Sequence, residues 1–302
     1  MKTLKDISIK GKNVLCRLDL NVPLDKGVIT DPTRINATIP TLKYILDNNP
    51  KNLTIMSHLG RPKLTQDFVK LSLLPVKNFL QNSLNKPIKL IDDLETGLRS
   101  ETMSHANINL LENLRFNKGE ESNCEEFSKV LFKYGDVYIN DAFGTTHRKH
   151  ASVHKIVEQF KKENKEVCGG YLLNTEVNAL DKLYTNNSNE SFVAILGGFK
   201  VSDKVNTIEN LLKFADKILI GGAMAYPFLK SREINVGNSP CTVKDIEMAS
   251  KLYEMDKFNK IIPRIDHVIH PVDTKEFSKE FIKITKDENI PSDYEGLDIG
   301  PK

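Results

Sequence analysis

The stretch that decides the fold is Val14-Leu15-Cys16-Arg17-Leu18-Asp19-Leu20-Asn21-Val22-Pro23, an apolar run that leads into polar residues and a proline. Its first part, Val14 to Leu20, predicts a buried β-strand. Side chains alternate between two faces of an extended chain, so Asp19 and Asn21 share one face at the end of this strand. Two explanations are open for the pair alone: a turn that caps the strand before Pro23, or two polar groups that face a ligand.

Similar short runs recur along the chain and alternate with longer amphipathic stretches. This alternation is typical of βαβ units built on a parallel sheet. The other predicted strands are Leu53–Ser57, Ile108–Leu111, Val137–Asn140, Phe192–Leu196 and Ile218–Gly221. Each run ends in polar or glycine-rich residues, and open α/β sheets bind ligands beyond the carboxyl ends of their strands. The residues after these runs are therefore the first candidates for chemistry.

The length of 302 residues predicts two domains, since one domain usually takes roughly 150 residues. After a mostly charged stretch, Cys168-Gly169-Gly170-Tyr171-Leu172-Leu173 opens a helical pattern that runs to about Tyr184. We predict an N-terminal domain over 1–170, an interdomain helix or hinge over 171–188, and part of a C-terminal domain over 189–302. The expected fold class is α/β, with two Rossmann-like lobes whose parallel sheets are flanked by helices, the second lobe being incomplete.

Composition excludes several classes of protein. The hydrophobic content of 39% and charged content of 27% are typical of a globular protein, and 43 basic against 40 acidic residues give no support for nucleic-acid binding. No run of eighteen apolar residues and no signal peptide is present, so we expect a cytoplasmic protein without a membrane partner. Four dispersed cysteines argue against a zinc site or disulfides, and we expect reduced, non-catalytic thiols and no bound metal.

Basic side chains follow several of the predicted strands in the first half of the chain. They occur in Ser57-His58-Leu59-Gly60-Arg61-Pro62, in Leu111–Phe116 with Arg115, and in Asp141–Arg148, while Arg34 opens a helical stretch. Each of these residues alone would be an ordinary surface residue. Together with Asp19 and Asn21 they would converge at one edge of a parallel sheet, and the planar guanidinium binds carboxylate or phosphate with two hydrogen bonds. The expected ligand is small, polar and multiply negative.

A second candidate site follows the strand Phe192–Leu196. Leu196-Gly197-Gly198-Phe199-Lys200-Val201-Ser202-Asp203-Lys204 combines a glycine turn, a helix start and two lysines four residues apart on one face. Helix N-termini attract phosphate, although the same pattern also fits a plain surface turn. Neither the P-loop nor the dinucleotide glycine fingerprint is present.

These motifs, in this order, resemble those of the phosphoglycerate kinases, and the resemblance covers essentially the whole chain. It implies that 3-phosphoglycerate is bound by Asp19, Asn21, Arg34, His58, Arg61, Arg115 and Arg148. It also implies that the nucleotide is bound by Lys200, Lys204, Gly221, Gly222 and Gly296. Three residues depart from the family pattern: Lys149, Phe199 and Ala223, where small residues or glycine are usual.

The resemblance implies reversible transfer of a phosphoryl group between MgATP and the carboxylate of 3-phosphoglycerate, giving 1,3-bisphosphoglycerate, with Arg34 and Lys200 as catalytic residues. Members of the family are expected to act as monomers when complete. The family's chain continues beyond Gly296-Leu297-Asp298-Ile299-Gly300-Pro301-Lys302 with an acidic residue for the ribose, a glycine loop and a tail. We therefore expect a fragment with little activity alone.

Two alternatives accompany this interpretation. A non-catalytic module that binds 3-phosphoglycerate would keep the same arginines, and the departures at Phe199 and Ala223 favour it weakly. A nicotinamide-dependent dehydrogenase would also use a parallel sheet with glycine turns, but the missing fingerprint and the arginine cluster argue against it. Turnover of 3-phosphoglycerate separates the first alternative from a kinase, and NADH binding would revive the second.

Overall fold

The computed structural model describes residues 1–64, 67–94, 108–184, 191–273 and 278–302. The chain divides into two compact units, Met1–Asp181 and Lys182–Lys302. The division lies inside the stretch predicted as an interdomain helix. The role of that helix as a hinge stays a prediction.

The first unit is organised around one parallel sheet. Its strands are β1 (Asn13–Leu18), β2 (Leu24–Asp25), β3 (Val28–Ile29), β4 (Asn52–Met56), β5 (Ile88–Ile91), β6 (Ile108–Leu111), β7 (Val137–Asp141) and β8 (Glu166–Gly169). Six of them form the sheet in the order β5-β6-β4-β1-β7-β8, and β2 and β3 form a small hairpin. Cys16 in the central strand β1 lies opposite Ile55 of β4 and Ile139 of β7. The predicted strand Val14–Leu20 is therefore the centre of the sheet.

Helices cover both faces of this sheet. They are α1 (Thr33–Asp47), α2 (Asp67–Lys70), α3 (Leu74–Leu84), α4 (Lys118–Glu121), α5 (Glu125–Phe132), α6 (Ile156–Lys162) and α7 (Tyr171–Tyr184). Short 3₁₀ turns occupy Leu4–Asp6, Leu114–Phe116 and Phe143–Thr145, and Ala151–Lys155 is π-helical. Because side chains alternate along β1, Val14 and Cys16 join one hydrophobic cluster and Leu15 joins the other. The sheet is thus buried on both faces, as a parallel sheet requires.

The predicted strands are present, with ends shifted by two residues at most. Two further strands of the six-stranded sheet, β5 and β8, were not predicted, and neither were the short strands β2 and β3. The helix predicted to run to about Tyr184 is present as Tyr171–Tyr184. Cys168 and Gly169, at the start of the stretch that was expected to open it, belong instead to the edge strand β8. Strand β8 pairs with β7 through backbone hydrogen bonds and places Cys168 opposite Ile139. The amino-acid composition of β8 alone does not predict a strand.

The second unit contains two three-stranded sheets. Strands β9 (Val193–Leu196), β10 (Lys217–Ile220) and β11 (Ile261–Ile262) form a parallel sheet in the order β11-β10-β9. The other sheet is antiparallel, was not predicted, and consists of β12 (His267–Pro271), β13 (Lys283–Ile284) and β14 (Tyr294–Ile299). The helices of this unit are α8 (Val205–Leu211), α9 (Ala225–Lys230) and α10 (Val243–Met255), with 3₁₀ turns at Val201–Asp203 and Lys279–Phe281. Of the glycines discussed below, Gly198 and Gly222 lie in the loops that follow β9 and β10, and Gly296 lies within β14.

Among the helices of the described residues, none is long and apolar enough to cross a membrane. All four cysteines are free thiols, of which Cys16 and Cys168 are buried.

Candidate functional site

The loop after β4 is the centre of the first candidate site, and Gly60 ties it to two other loops. The Gly60 N–H donates to Asn21 Oδ1 at 2.8 Å, and the Gly60 carbonyl accepts a hydrogen bond of 2.6 Å from Arg115 Nη1. Gly60 has a φ of +58°, which favours glycine. Three segments that follow β1, β4 and β6 are therefore joined at one end of the sheet.

Asp19 and Arg34 form the second part of this site. Arg34 Nη1 lies 3.1 Å from Asp19 Oδ2. Asp19 also accepts a hydrogen bond from the Asn21 N–H at 3.3 Å, so the turn expected as one explanation of this pair is present. A Cβ at Gly144 would lie 2.8 Å from Asp19 Oδ2, which brings the loop after β7 against the same carboxylate.

His58 lies among cations. Its ring is 5% exposed, and Nδ1 lies 3.2 Å from Nη2 of the fully buried Arg17. Burial lowers the pKa of His58 to about 2, assisted by Arg17, Arg115, His150 and Arg148. Burial also lowers the pKa of Arg115, with Arg148 and Arg17 adding to the effect and Glu121, 3.1 Å from Arg115 Nε, opposing it. Basic residues of β1 and of the segments after β4, β6 and β7 thus act on one another electrostatically.

The predicted residues of the first site differ in how firmly they are held. Asp19, Asn21, Arg34, His58 and Arg115 make the contacts given above. Arg148 is half-buried, and its backbone N–H closes a turn onto Thr145. Arg61 is exposed and directly follows Gly60. Lys149, a departure from the family pattern, is exposed.

A buried polar network behind His58 was missed by the sequence analysis. Arg17 Nε donates to Ser152 Oγ at 2.9 Å, and Ser152 Oγ donates to Glu120 Oε1 at 2.6 Å. Arg17, Ser152 and Glu120 have no exposed surface. An arginine inside an apolar strand run was a usable signal for Arg17. Ser152 and Glu120 are far from it in sequence, and nothing in their surroundings marks them.

The glycine loops of the second unit form the second candidate site. Gly222, at φ +64°, leaves no room for a side chain, because a Cβ there would lie 2.7 Å from the Gly198 carbonyl oxygen. Met224 N–H donates to that carbonyl at 3.0 Å, and Gly221 N–H donates to the Leu196 carbonyl at 2.7 Å. The loops that follow β9 and β10 thus pack backbone against backbone, which only glycine permits.

The two lysines of this site are arranged differently from the expectation. Lys200 is extended and precedes a 3₁₀ turn, and Lys204 precedes α8 with non-helical dihedrals. The i, i+4 rule for one helical face therefore does not apply to them. Lys200 is exposed and Lys204 is half-buried.

The family departures in this site are accommodated in different ways. Phe199 is 66% exposed, so it does not pack beneath the turn. Ala223 packs against a small hydrophobic cluster around Tyr226.

Gly296 and the buried Arg264 flank the same loops. A Cβ at Gly296 would lie 2.3 Å from the Tyr226 hydroxyl oxygen, and the Gly296 N–H donates to Ser239 Oγ at 2.9 Å. Arg264 donates to the Gly222 carbonyl at 2.7 Å and to the Tyr226 hydroxyl at 3.1 Å. Gly221 also lines a cavity of about 360 Å³. Arg264 was not predicted. Its hydrogen bond to the Gly222 carbonyl supports the turn at Gly222.

The part of the chain that the structure describes has no group of three or more His, Cys, Asp or Glu side chains that could hold a metal ion.

The amino-acid sequence of this chain matches a known protein family. The family model for phosphoglycerate kinase matches residues 4–302. The phosphoglycerate kinase of Clostridium perfringens is 41% identical over 309 residues, which cover 100% of this chain and 75% of that protein. The phosphoglycerate kinase of Finegoldia magna is 42% identical over 308 residues, with the same two coverages of 100% and 75%.

Solved structures give the same answer. The phosphoglycerate kinase of Coxiella burnetii superposes with a TM-score of 0.84 at 33% identity, over 99% of this chain and 74% of that one. The enzyme of Pyrococcus horikoshii superposes with a TM-score of 0.77 at 25% identity, over 100% of this chain and 76% of that one. This chain belongs to the phosphoglycerate kinase family.

Proposed function

We propose that this chain binds 3-phosphoglycerate on its first unit and the phosphates of MgATP or MgADP on its second. The reaction is the reversible transfer of a phosphoryl group between ATP and the carboxylate of 3-phosphoglycerate, giving 1,3-bisphosphoglycerate. The observation that carries the proposal is geometric: Asn21 and Arg115 both hydrogen-bond to Gly60, so the loops that carry the predicted ligand-binding residues meet at one end of the parallel sheet.

The ligand has the charge and the hydroxyl group that these residues suit. Its phosphate and carboxylate match the guanidinium groups of Arg61, Arg115 and Arg148, which hold their charge at every physiological pH. Asp19 and Asn21 accept and share hydrogen bonds with the ligand hydroxyl. His58 adds a neutral donor among these charges, since its pKa is about 2.

Phosphoryl transfer depends on positioning and on charge neutralisation, because the protein forms no covalent bond to the substrate. Arg34 and Lys200 are the catalytic residues of the proposal. Arg34 is 54% exposed, and among the described residues only its Nη1 is paired, with Asp19, so the remaining donors of its guanidinium serve the transferred group. Lys200 supplies an exposed ammonium group for the same charge.

The nucleotide is assigned to the glycine loops of the second unit. Lys204 contacts the nucleotide phosphates, and the nucleotide lies against the backbone of Gly221, Gly222 and Gly296. The close backbone packing of Gly222 on Gly198 supports this assignment. Mg²⁺ enters as part of the nucleotide substrate, and the roles given to the residues of the chain concern the phosphates alone.

In this proposal, the protein acts as an enzyme of glycolysis. We assign the protein to the cytoplasm and to a monomeric state, with no nucleic-acid or membrane partner. The composition supports this assignment, since the net charge of +3 is small and no apolar segment of membrane length is present.

The test is a pair of calorimetric titrations on purified residues 1–302, one with 3-phosphoglycerate and one with MgADP. We expect Arg115→Met to weaken 3-phosphoglycerate at least tenfold and to leave MgADP unchanged, and Lys204→Met to do the reverse. Lys129→Met is the matched control, since the exposed Lys129 pairs with Glu125 of its own helix. Equal effects of Arg115→Met and Lys129→Met on 3-phosphoglycerate would refute the assignment.

A further inference from the structure

A chain of hydrogen bonds runs through the interior of the first unit and ends at His58. Glu120 accepts from the Ser152 N–H at 3.0 Å and from Ser152 Oγ at 2.6 Å. Ser152 Oγ accepts from Arg17 Nε at 2.9 Å, and Arg17 Nη2 lies 3.2 Å from His58 Nδ1. Arg17 Nη1 donates to the Leu18 carbonyl. These hydrogen bonds connect β1, α4 and the π-helical segment after β7 to the loop after β4.

The direction of each bond is fixed by chemistry. A guanidinium only donates, so His58 Nδ1 must accept from Arg17 and cannot carry a proton. The single Ser152 hydroxyl proton goes to the Glu120 carboxylate, because the same oxygen accepts from Arg17 Nε. The remaining proton of a neutral His58 ring must then lie on Nε2. Nε2 makes no hydrogen bond within the described part of the chain.

We propose that Arg17, held by Ser152 and Glu120, is a positioning residue that keeps His58 as a neutral Nε2–H donor for the anionic ligand. The proposal rests on the proposed function, in which His58 contacts 3-phosphoglycerate. It gives a reason for placing a fully buried arginine inside the central strand, where a cation costs free energy unless it is fully hydrogen-bonded.

The charges around His58 agree with this role. Arg17 faces it from β1, Arg115 from the turn after β6, and Arg148 and His150 from the segment after β7. The carboxylate of Glu120 is separated from His58 by Ser152 and Arg17, while His150 Nδ1 lies 3.8 Å from Glu120 Oε1. Cations thus surround His58 on several sides, and they oppose its protonation.

A neutral donor has a specific use in this site. A charged imidazolium would attract any anion, whereas a neutral Nε2–H bonds only to an acceptor in the correct direction. The ring also cannot accept a proton from the ligand's phosphate while Nδ1 is occupied. We expect His58 to orient the ligand through a directional hydrogen bond, and the arginines to neutralise the charge of the ligand.

The test uses residues 1–302 with ¹⁵N-labelled histidine and long-range ¹H–¹⁵N NMR, with the His58 signals assigned through His58→Gln. We expect one Nε2–H tautomer with no titration between pH 5 and pH 8. In Arg17→Met, Nδ1 loses its donor, and we expect a mixture of tautomers that titrates in that range. A wild-type His58 that carries its proton on Nδ1, or that titrates near pH 6.5, would overturn the proposal.

Calorimetry with 3-phosphoglycerate tests the functional part. We expect Arg17→Met to weaken binding about tenfold at pH 8, and the ratio of its Kd to the wild-type Kd to fall as the pH drops to 5.5, because His58 then gains a charge. The ionisation of the ligand cancels in this ratio. An unchanged Kd ratio alongside an altered tautomer would overturn the positioning role.

Three further variants make the result decisive if Arg17→Met folds poorly. Ser152→Ala keeps Arg17 but removes the acceptor of its Nε, and we expect a weakening of about threefold with the same pH trend. His58→Gln presents an amide donor near the Nε2 position, so adding Ser152→Ala to it should have no further effect on binding. Arg232→Met, in the other unit, controls for loss of an arginine. If the wild type binds no 3-phosphoglycerate, the proposed function fails, while the NMR signals still decide the direction of the hydrogen bonds.

Discussion

The ion pair of Arg34 with Asp19 shows how a functional residue can be separated from a stabilising one. Arg34 is 54% exposed, and exposed pairs contribute about 1 kcal/mol or less to folding. We expect Arg34→Met to change the free energy of unfolding by less than about 1 kcal/mol and to weaken 3-phosphoglycerate at least tenfold. Urea unfolding and calorimetry measure the two quantities. Lys155→Met also breaks one exposed pair, at 2.7 Å from Glu158, and should affect neither quantity strongly.

His58 links the same site to the pH dependence of stability. Its pKa is lowered from 6.5 to about 2 in the folded chain, so the unfolded chain binds the extra proton first on acidification. The free energy of unfolding therefore has its full value above pH 6.5, and it decreases as the pH falls below 6.5. At pH 4.5, which is two units below the pKa of 6.5 in the unfolded chain, the free energy of unfolding should be lower by about 2–3 kcal/mol. Unfolding of His58→Gln, which cannot titrate, should lack this part of the pH dependence, and equal pH profiles would contradict it.

At the scale of elements, Asp141 anchors the helix α7. Its Oδ1 accepts from the Leu173 N–H at 2.9 Å, and the Tyr171 N–H donates to Thr41 Oγ1 at 2.9 Å. Burial raises the pKa of Asp141, and a Cβ at Gly170 would lie 2.3 Å from its Cγ. We expect Asp141→Ala to destabilise the first unit by about 1–2 kcal/mol and to speed hydrogen exchange at Leu173.

Asp141→Asn is the matched control, because it keeps an oxygen acceptor of the same shape. It should retain most of the protection at Leu173. Equal losses in the two variants would show that the charge of Asp141, and not its acceptor, holds the start of the helix.

The same elements show what the sequence can predict. The strand β1 was predicted because a buried central strand is apolar on both faces, and the apolar run Val14–Leu18 records this burial directly. The strand β8 was missed because Glu166–Gly169 lies at the edge of the sheet and is specified by pairing with β7. The site residues Asp19, His58 and Arg115 follow strand ends and were found. Ser152 was not found, since its partner Arg17 is distant in sequence and the bond exists only in the folded chain.

At the scale of the whole molecule, the two sites should stabilise different units. The second unit exposes apolar side chains on its parallel sheet, including 78% of Ile195 and 45% of Val193, whereas β1 in the first unit is almost wholly buried. We therefore expect calorimetric melting in two steps, with Lys182–Lys302 unfolding first.

Ligands identify the steps, because a ligand stabilises only the unit that binds it. At about 100 times its Kd, 3-phosphoglycerate should add about 2.7 kcal/mol to the first unit, and MgADP should add a similar amount to the second. Hydrogen exchange of β1 and β10 amides, measured with each ligand, checks the assignment. Arg115→Met should remove the effect of 3-phosphoglycerate on β1 and leave that of MgADP on β10. A single transition that both ligands raise equally would mean that the two units unfold together.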